Sequence, residues 1–220
     1  MAPSPTHIFH ITAIQNLVGI WQTQAIKCKK LLDATGKSYQ SIAYDDLQDR
    51  RARRIVRKGE TLHDFVPFMF APRSPMLKAI DSGLVKGYVG GQRGVAHLVS
   101  TAQRVRDAAL DFLFTDYHAI VAYAKFYSNL TDLDKIDWPL FFEDPLLDGY
   151  CKWWHSRASP TKYIKRSETR QAELLVRDKF PVGLIRGIAV ADDETAARVG
   201  HSLATLGWNI PVKAKPNWYY

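Results

Sequence analysis

Apolar positions along this chain switch repeatedly between two periods, and the switches mark its elements. Ile8 to Thr12 alternates as a short strand, while Ile14, Leu17, Val18 and Trp21 fall at helical spacing within Ala13 to Gln24. Ala34 to Ser38, small and polar around Gly36, reads as a loop, and Asp45 to Val56 as a charged helix whose apolar stripe is Leu47 and Ile55. Pro75 to Ser82 reads as a helix, and Gly83 to Gly94 as a glycine-rich loop. Val95 to Ser100 is a strand, a helix follows through Ala109, Phe112 to Thr115 is another strand, and Ala119 to Leu130 is helical. Ala172 to Val176 and Leu184 to Val190 are strand-like. Asp192 or Asp193 can cap a helix over Glu194 to Leu206, with Ala197, Gly200, His201 and Ala204 on one face and Gly207 at its end. A last strand falls near Ile210 to Val212. Strands and helices mix without regular strand–helix–strand alternation, so the pattern predicts an α+β fold in a single domain, 1–220.

Two stretches resist that reading. Leu62 to Leu77 (LHDFVPFMFAPRSPML) is an aromatic run interrupted by Pro67, Pro72 and Pro75. Proline removes a ladder donor, so the run predicts an edge strand, a bend at Pro72, and a helix capped by Ser74 with Pro75 in its first position. The surplus of His63, Asp64 and Arg73 among the aromatics suggests a lined pocket. The second stretch, Asp132 to Thr169, has no clear period and carries Trp138, Trp153, Trp154 and Tyr163. A segment that long without periodicity predicts a functional loop or lid, centred on 132–170.

Composition narrows the setting. The 220 residues suffice for one sizeable core, and 46% hydrophobic with 24% charged residues is ordinary for a globular chain. No apolar stretch approaches the roughly 20 residues of a membrane helix, and Met1 to Thr6 lacks the form of a signal peptide. Cys28 and Cys151 stand alone without ligand spacing, which argues against a structural zinc and for a reducing, cytoplasmic setting. Net charge is +8, concentrated in Arg50, Arg51, Arg53, Arg54, Arg57 and Lys58 and again in Lys162, Lys165, Arg166 and Arg170. Such clusters suit a polyanionic partner as well as a merely solvated surface.

Chemistry-bearing residues are few. Glu173 opens an apolar strand directly after the irregular segment. It reads either as a solvent-facing strand residue or as a carboxylate presented beneath a mobile loop, available as a general base or to a sugar hydroxyl. Within the basic run, a phosphate-binding role requires one arginine that points inward, and spacing alone does not select it. His10 and His118 read by default as ordinary strand residues, although Asp116 could orient the second ring. Nucleotide-binding glycine loops, serine-nucleophile elbows and zinc-peptidase signatures are absent from the sequence.

Taken in order, these pieces resemble the DarT family of DNA ADP-ribosyltransferase toxins. The matching elements are Phe9-His10-Ile11-Thr12 with Asn16-Leu17 and Gly19-Ile20, Ser41-Ile42-Ala43-Tyr44 leading to Gln48-Asp49-Arg50-Arg51, and the proline-broken run. They continue with His97-Leu98-Val99-Ser100, Phe114-Thr115-Asp116 with His118, Gln171-Ala172-Glu173, and the terminal Trp218-Tyr219-Tyr220. The resemblance spans nearly the whole chain. It implies a compact ADP-ribosyltransferase fold related to poly-ADP-ribose polymerase catalytic domains, with a central antiparallel-rich sheet and flanking helices. It further implies transfer of ADP-ribose from NAD, without a metal, onto a base of single-stranded DNA, typically thymine, and a macrodomain antitoxin that reverses it.

Carried residue by residue, the resemblance makes Glu173 and Arg51 catalytic. It places His10, Thr12, Asn16, Leu17, Gly19, Arg51, Phe65 and Met76 along the NAD site. His118, Trp153, Trp154, Arg166 and Arg170 would face the DNA. Two departures stand out: Phe65 and Met69 occupy positions where the family commonly carries tyrosines, and Phe141 to Arg170 matches least. Guanine as the acceptor, a protein or RNA acceptor, and a non-catalytic single-strand-binding module remain alternatives. If Arg51 is catalytic, Arg51→Ala should cost far more transfer activity than Arg53→Ala or Arg54→Ala; equal losses would make the run only a charge patch.

Overall fold

The proline-broken run lies in the middle of the fold, not at its edge. In the computed structural model, which describes residues 1–36 and 38–220, the chain forms one large sheet. Lys37, within the expected Ala34–Ser38 loop, lies outside the described residues. The strands of that sheet are β1 (His7–Ala13), β2 (Phe65–Met69), β3 (Val95–Thr101), β4 (Phe112–His118), β5 (Phe126–Tyr127), β6 (Ala172–Arg177), β7 (Gly187–Val190) and β8 (Val212–Ala214). Their order is β8-β7-β3-β1-β2-β6-β4-β5, antiparallel throughout except for the β7–β8 pair. The α+β expectation holds.

How an interior strand tolerates Pro67 follows from register. β2 pairs fully with β6, from Phe65↔Arg177 to Met69↔Glu173, but meets β1 only at Phe9↔Met69. The sheet parts beyond that point. The Pro67 carbonyl accepts a hydrogen bond from the His10 ring at 2.9 Å in place of a β1 backbone amide. The edge-strand expectation is therefore corrected: the strand is central, and the missing donor of Pro67 is tolerated beside an opening between β1 and β2. After the bend, Ser74 caps the Pro75–Asp81 helix as expected, accepting from the Leu77 amide at 3.2 Å.

Alternation along each strand supplies both faces of the sheet. Ile8, Phe68, Leu98, Phe114, Leu174 and Val176 pack on one side with Trp138 and Phe141 of the irregular segment and with Val199 and Leu203 of the Asp193–Thr205 helix. That helix buries Thr195, Val199 and Leu203, so the face carrying Ala197, His201 and Ala204 is the exposed one. On the other side Phe9, Leu77, Val95 and Ala189 meet Trp218 and Tyr219, and a smaller cluster joins Leu62, Phe65, Leu113, Ala119 and Leu175.

Ala119 to Leu130 is a turn followed by β5, and the helix expected there does not form. Asp116 Oδ1 accepts the Lys125 amide at 2.9 Å, and the Tyr127 ring stacks on Phe114 at 5.2 Å. Tertiary contacts thus outweigh the local propensity. The segment 132–170 is irregular, broken by short elements such as Pro139–Phe142, the Leu146–Leu147/Tyr150–Cys151 hairpin and Arg166–Thr169.

The C-terminal aromatics lock the bend of the proline-broken run. His97, fully buried, donates Nε2–H to the Pro72 carbonyl at 3.0 Å, since a carbonyl can only accept. Its Nδ1 lies 3.1 Å from the Tyr219 hydroxyl, which also reaches the Val95 carbonyl at 2.9 Å. Arg73 bonds the Tyr219 carbonyl and lies over the Tyr220 ring, 4.1 Å from its centroid. Burial pushes the His97 pKa down from 6.5 to about 4, against the opposing pull of the Pro72 carbonyl. Because the folded pKa lies below the unfolded one, this histidine stabilises the fold fully above pH 6.5, and the contribution disappears as pH falls toward 4. At that separation the contribution is about 3 kcal/mol. The urea midpoint should fall between pH 6.5 and 4.5, and His97→Phe, though less stable at pH 7, should show a shallower fall. An unchanged pH slope would remove His97 as its source.

Candidate active site

The Asp45–Arg53 helix places acidic Asp45 and Asp46 in its first turn and Arg50, Arg51 and Arg53 in its last, the arrangement its dipole favours. Of the basic run Arg51 is the buried member; Arg50, Arg53 and Lys58 are exposed, and Arg57 pairs with Glu60 and Asp111. Arg51 Nη1 donates to both carboxylate oxygens of Glu173, at 2.9 Å each. The pair is buried, with side-chain exposures of 8% and 0%.

Glu173 is held there by an irregularity in the sheet. Between β6 and β4 the register shifts, Ala172 lying opposite His118 while Leu174 lies opposite Phe114. The Glu173 amide, deprived of a strand partner, donates to Thr115 Oγ1 at 3.0 Å. Bulges bend a strand and re-aim its side chains, and they recur beside functional sites. Here the bulge brings His118 Nε2 to 3.7 Å from Glu173 Oε1, near but beyond hydrogen-bonding distance.

Burial pushes the Glu173 carboxyl toward protonation, but the Arg51 charge, with smaller help from the His118 ring and the Arg51 and Ala119 donors, holds its pKa below the usual value. Burial also lowers His118, outweighing the attraction of Glu173, so the imidazole is neutral at pH 7 and the 3.7 Å approach is not an ion pair. His10 is neutral for the same reason, and its bond to Pro67 fixes the proton on Nδ1. The centre therefore presents one ionised carboxylate, one guanidinium and two neutral rings. Arg51 Nη2 is buried with no hydrogen-bond partner among the described residues, a donor available to a ligand's anionic or carbonyl oxygen.

These groups sit in a cleft of about 520 Å³ that opens where β1 and β2 part. Small-molecule sites run to roughly 300–1,000 Å³. His10, Thr12, Asn16, Gly19, Arg51, Phe65, Met76, His118 and Glu173 all line it. Asn16 braces the wall: its Nδ2 donates to Thr12 Oγ1 and to the Gln40 carbonyl, and its Oδ1 accepts the Gln40 amide at 2.9 Å. Leu17, expected in this set, instead points into the core at 1% exposure. Hydrophobic periodicity carried that signal, since Leu17 lies on the apolar stripe of its helix.

Sequence reasoning passed over Lys29, Tyr39, Gln40, Gln48 and Gln171, which also line the cleft. Nothing local marks the first three; the Asn16 brace holds Gln40, Tyr39 precedes it, and Lys29 lies over the Tyr39 ring at 5.5 Å from its centroid. His63 also lines it, bonded to Gln48 at 3.1 Å, whereas Asp64 turns away to cap its own turn at Thr61 and to pair with Lys30 at 2.6 Å.

The residues expected to face DNA divide. Trp153 is 37% exposed with Lys152 over its ring, and Trp154 is half-buried beside exposed His155. Arg166 and Arg170 are corrected to interior struts, each 1% exposed. Arg166 bonds Glu143 at 2.8 Å and stacks on Tyr163, while Arg170 Nη1 donates to the carbonyls of Leu140, Cys151 and Trp153. Both fix the irregular segment from beneath; its surface charge comes from Lys152, Arg157, Lys162 and Lys165. Arg54 is likewise not the silent neighbour expected of it, since its guanidinium binds the carbonyls of Ala119 and Val121, both at 3.2 Å.

Comparison with known proteins bears on this geometry. The family model described as DarT, ssDNA thymidine ADP-ribosyltransferase, matches residues 9–220. A DNA ADP-ribosyl transferase of Thermus sp. (strain 2.9) is 40% identical over 228 residues, covering 99% of this chain and 98% of the relative. The structure of Thermus sp. 2.9 DarT in complex with ADP-ribosylated ssDNA superposes with a TM-score of 0.85 at 37% identity, covering 100% of this chain and 99% of that one. The same protein's complex with NAD+ gives 0.80 at 33% identity, covering both chains fully (100% each). A DNA ADP-ribosyl transferase–DNA ADP-ribosyl glycohydrolase fusion protein of Thermosipho africanus is 24% identical over 100% of this chain and 51% of its own length.

Proposed function

The chain belongs to the DarT family of DNA ADP-ribosyltransferases, and on that premise we propose that its cleft binds NAD and transfers ADP-ribose to thymine in single-stranded DNA. The observation that carries the reading is the buried Arg51–Glu173 pair at the floor of the cleft. His10, Thr12, Asn16, Gly19, Phe65 and Met76 line the NAD-binding part. NAD fits these groups: Arg51 Nη2 is a buried donor with no hydrogen-bond partner among the described residues, suited to a phosphate oxygen.

In the proposed reaction the ribose–nicotinamide bond breaks and nicotinamide leaves with the bonding electron pair. Positive charge develops on the ribose, and the ionised Glu173 carboxylate, preorganised by Arg51, stabilises it through a ribose hydroxyl. A thymine ring nitrogen then attacks the anomeric carbon. Its proton passes to Glu173, a general-base step of the kind that contributes about 10²–10⁴-fold. His118, neutral and beside the carboxylate, orients the incoming base. A guanine acceptor needs less prior deprotonation, so base identity is the part of the reading that most needs direct measurement.

The acceptor strand is read by the segment 132–170, where Trp153 and Trp154 supply stacking faces and the lysines follow the backbone. Stacking is worth roughly 1–3 kcal/mol per base. By analogy with the fused Thermosipho protein, a DNA ADP-ribosyl glycohydrolase of macrodomain type is the opposing antitoxin. Both co-substrates and the two free cysteines fit a cytoplasmic enzyme; among the described residues no helix is long and apolar enough to cross a membrane.

The burial of the pair decides which variant tests the reading. Truncating one member of a buried ion pair strands the other charge and costs about 3–5 kcal/mol, so Glu173→Ala risks the fold, whereas Glu173→Gln keeps the volume and one oxygen that accepts from Arg51. With NAD and separate pools of single-stranded DNA, duplex DNA, RNA and protein, the parent chain should add the mass of ADP-ribose only to single-stranded DNA, on thymine. Glu173→Gln should abolish the addition. Modification of another pool, or full activity in folded Glu173→Gln, would refute the assignment.

A further inference from the structure

Arg54 follows the Asp45–Arg53 helix, three residues after Arg51, and its side chain crosses to the turn that succeeds β4. Nε donates to the Ala119 carbonyl and Nη2 to the Val121 carbonyl, both at 3.2 Å, while the guanidinium covers the Phe126 ring at 5.6 Å. The far end of the same turn is tied by Asp116, which accepts the Lys125 amide at 2.9 Å and the Tyr127 hydroxyl at 3.3 Å. Internally, the Val121 amide bonds the His118 carbonyl at 3.0 Å. Ala119 is fully buried against Leu62, Phe65, Leu113 and Leu175, and it directly follows His118, whose Nε2 lies 3.7 Å from Glu173 Oε1. One helix end thus reaches both sides of the centre: Arg51 binds the carboxylate, and Arg54 binds the backbone that frames it.

Resting on the reading of Glu173 as the reacting carboxylate, we propose that Arg54 is a positioning residue, which by clamping the Ala119 and Val121 carbonyls holds His118 against Glu173. A two-carbonyl clamp requires the planar fork of arginine; lysine keeps the charge and loses the geometry. Released, the turn would swing His118 away from the carboxylate. Small displacements of this kind are costly because transfer depends on a near-attack arrangement.

The charged and titratable groups that face Glu173 are Arg51 from the helix and His118 from β4; Arg50 and Glu168 face His118, and His63 faces Arg51. His118, 3.7 Å away, helps to lower the Glu173 pKa, so its withdrawal raises it. Activity requiring the ionised carboxylate rises with pH through that pKa, and the acid limb of kcat should therefore move to higher pH.

The test measures kcat and KM for NAD across pH 3.5–8.5 in Arg54→Ala, Arg54→Lys, exposed Arg53→Ala and Glu173→Gln. Both Arg54 variants should lose about 10–100-fold in kcat, with little change in KM and an acid limb displaced upward; Arg53→Ala should match the parent. Because acid also weakens the fold, the folded fraction of each variant is followed by circular dichroism at every pH and kcat is referred to folded enzyme; an unmoved limb in both Arg54 variants then overturns the proposal, as does parental activity in either. Full activity of Glu173→Gln would instead refute the underlying reading.

Discussion

An arginine and a glutamate separated by 122 residues in sequence are joined by two 2.9 Å hydrogen bonds with almost no exposure to water. Neither charge is tolerable there alone, since desolvation of an ion costs several kcal/mol unless a partner and hydrogen bonds offset it. That requirement links the end of one helix to the start of a central strand. It also dictates the bulge beside Glu173, where Thr115 Oγ1 takes the stranded amide and His118 approaches the carboxylate. The pair is weak evidence for stability; its value lies in keeping a carboxylate ionised inside a cleft.

The parting of the sheet is the second constraint. A strand with proline in its centre cannot pair fully on both sides, and β2 gives up its pairing with β1 after a single residue pair. The gap becomes the cleft. His10 fills the lost backbone bond and, by donating Nδ1–H to Pro67, becomes a neutral ring of fixed tautomer in the wall. The same proline that argued for an edge strand therefore creates the site. Further along the run, His97, Arg73 and the terminal tyrosines pin the bend, so the C-terminus supports the cleft without lining it.

Local signals revealed much of this and missed the rest for identifiable reasons. Period-two and helical patterns located most strands and the Asp193–Thr205 helix, because the central strands are apolar runs buried on both faces and the helix buries one face. Ala119 to Leu130 misled because Asp116, a residue outside the segment, supplies the bond that makes it a turn. Arg166 and Arg170 read as surface charge because sequence cannot show that carbonyls and Glu143 surround them. Arg51 and Glu173 carried almost no local signal. Their assignment came from the resemblance, and the geometry then brought the two side chains together. Arg54 was invisible as more than a neighbour, since its partners are backbone atoms some 65 residues away.

The account stands on Arg51 and Glu173 acting as one unit, and a double-mutant cycle on transfer rate tests this most directly. Arg51→Gln, Glu173→Gln and the double variant would each be assayed with NAD and a single-stranded oligonucleotide under identical conditions. If the pair is a unit, the double variant should be about as slow as Glu173→Gln alone. Losses that multiply in the double variant would mean two independent contributions, and would contradict the shared role assigned to the pair.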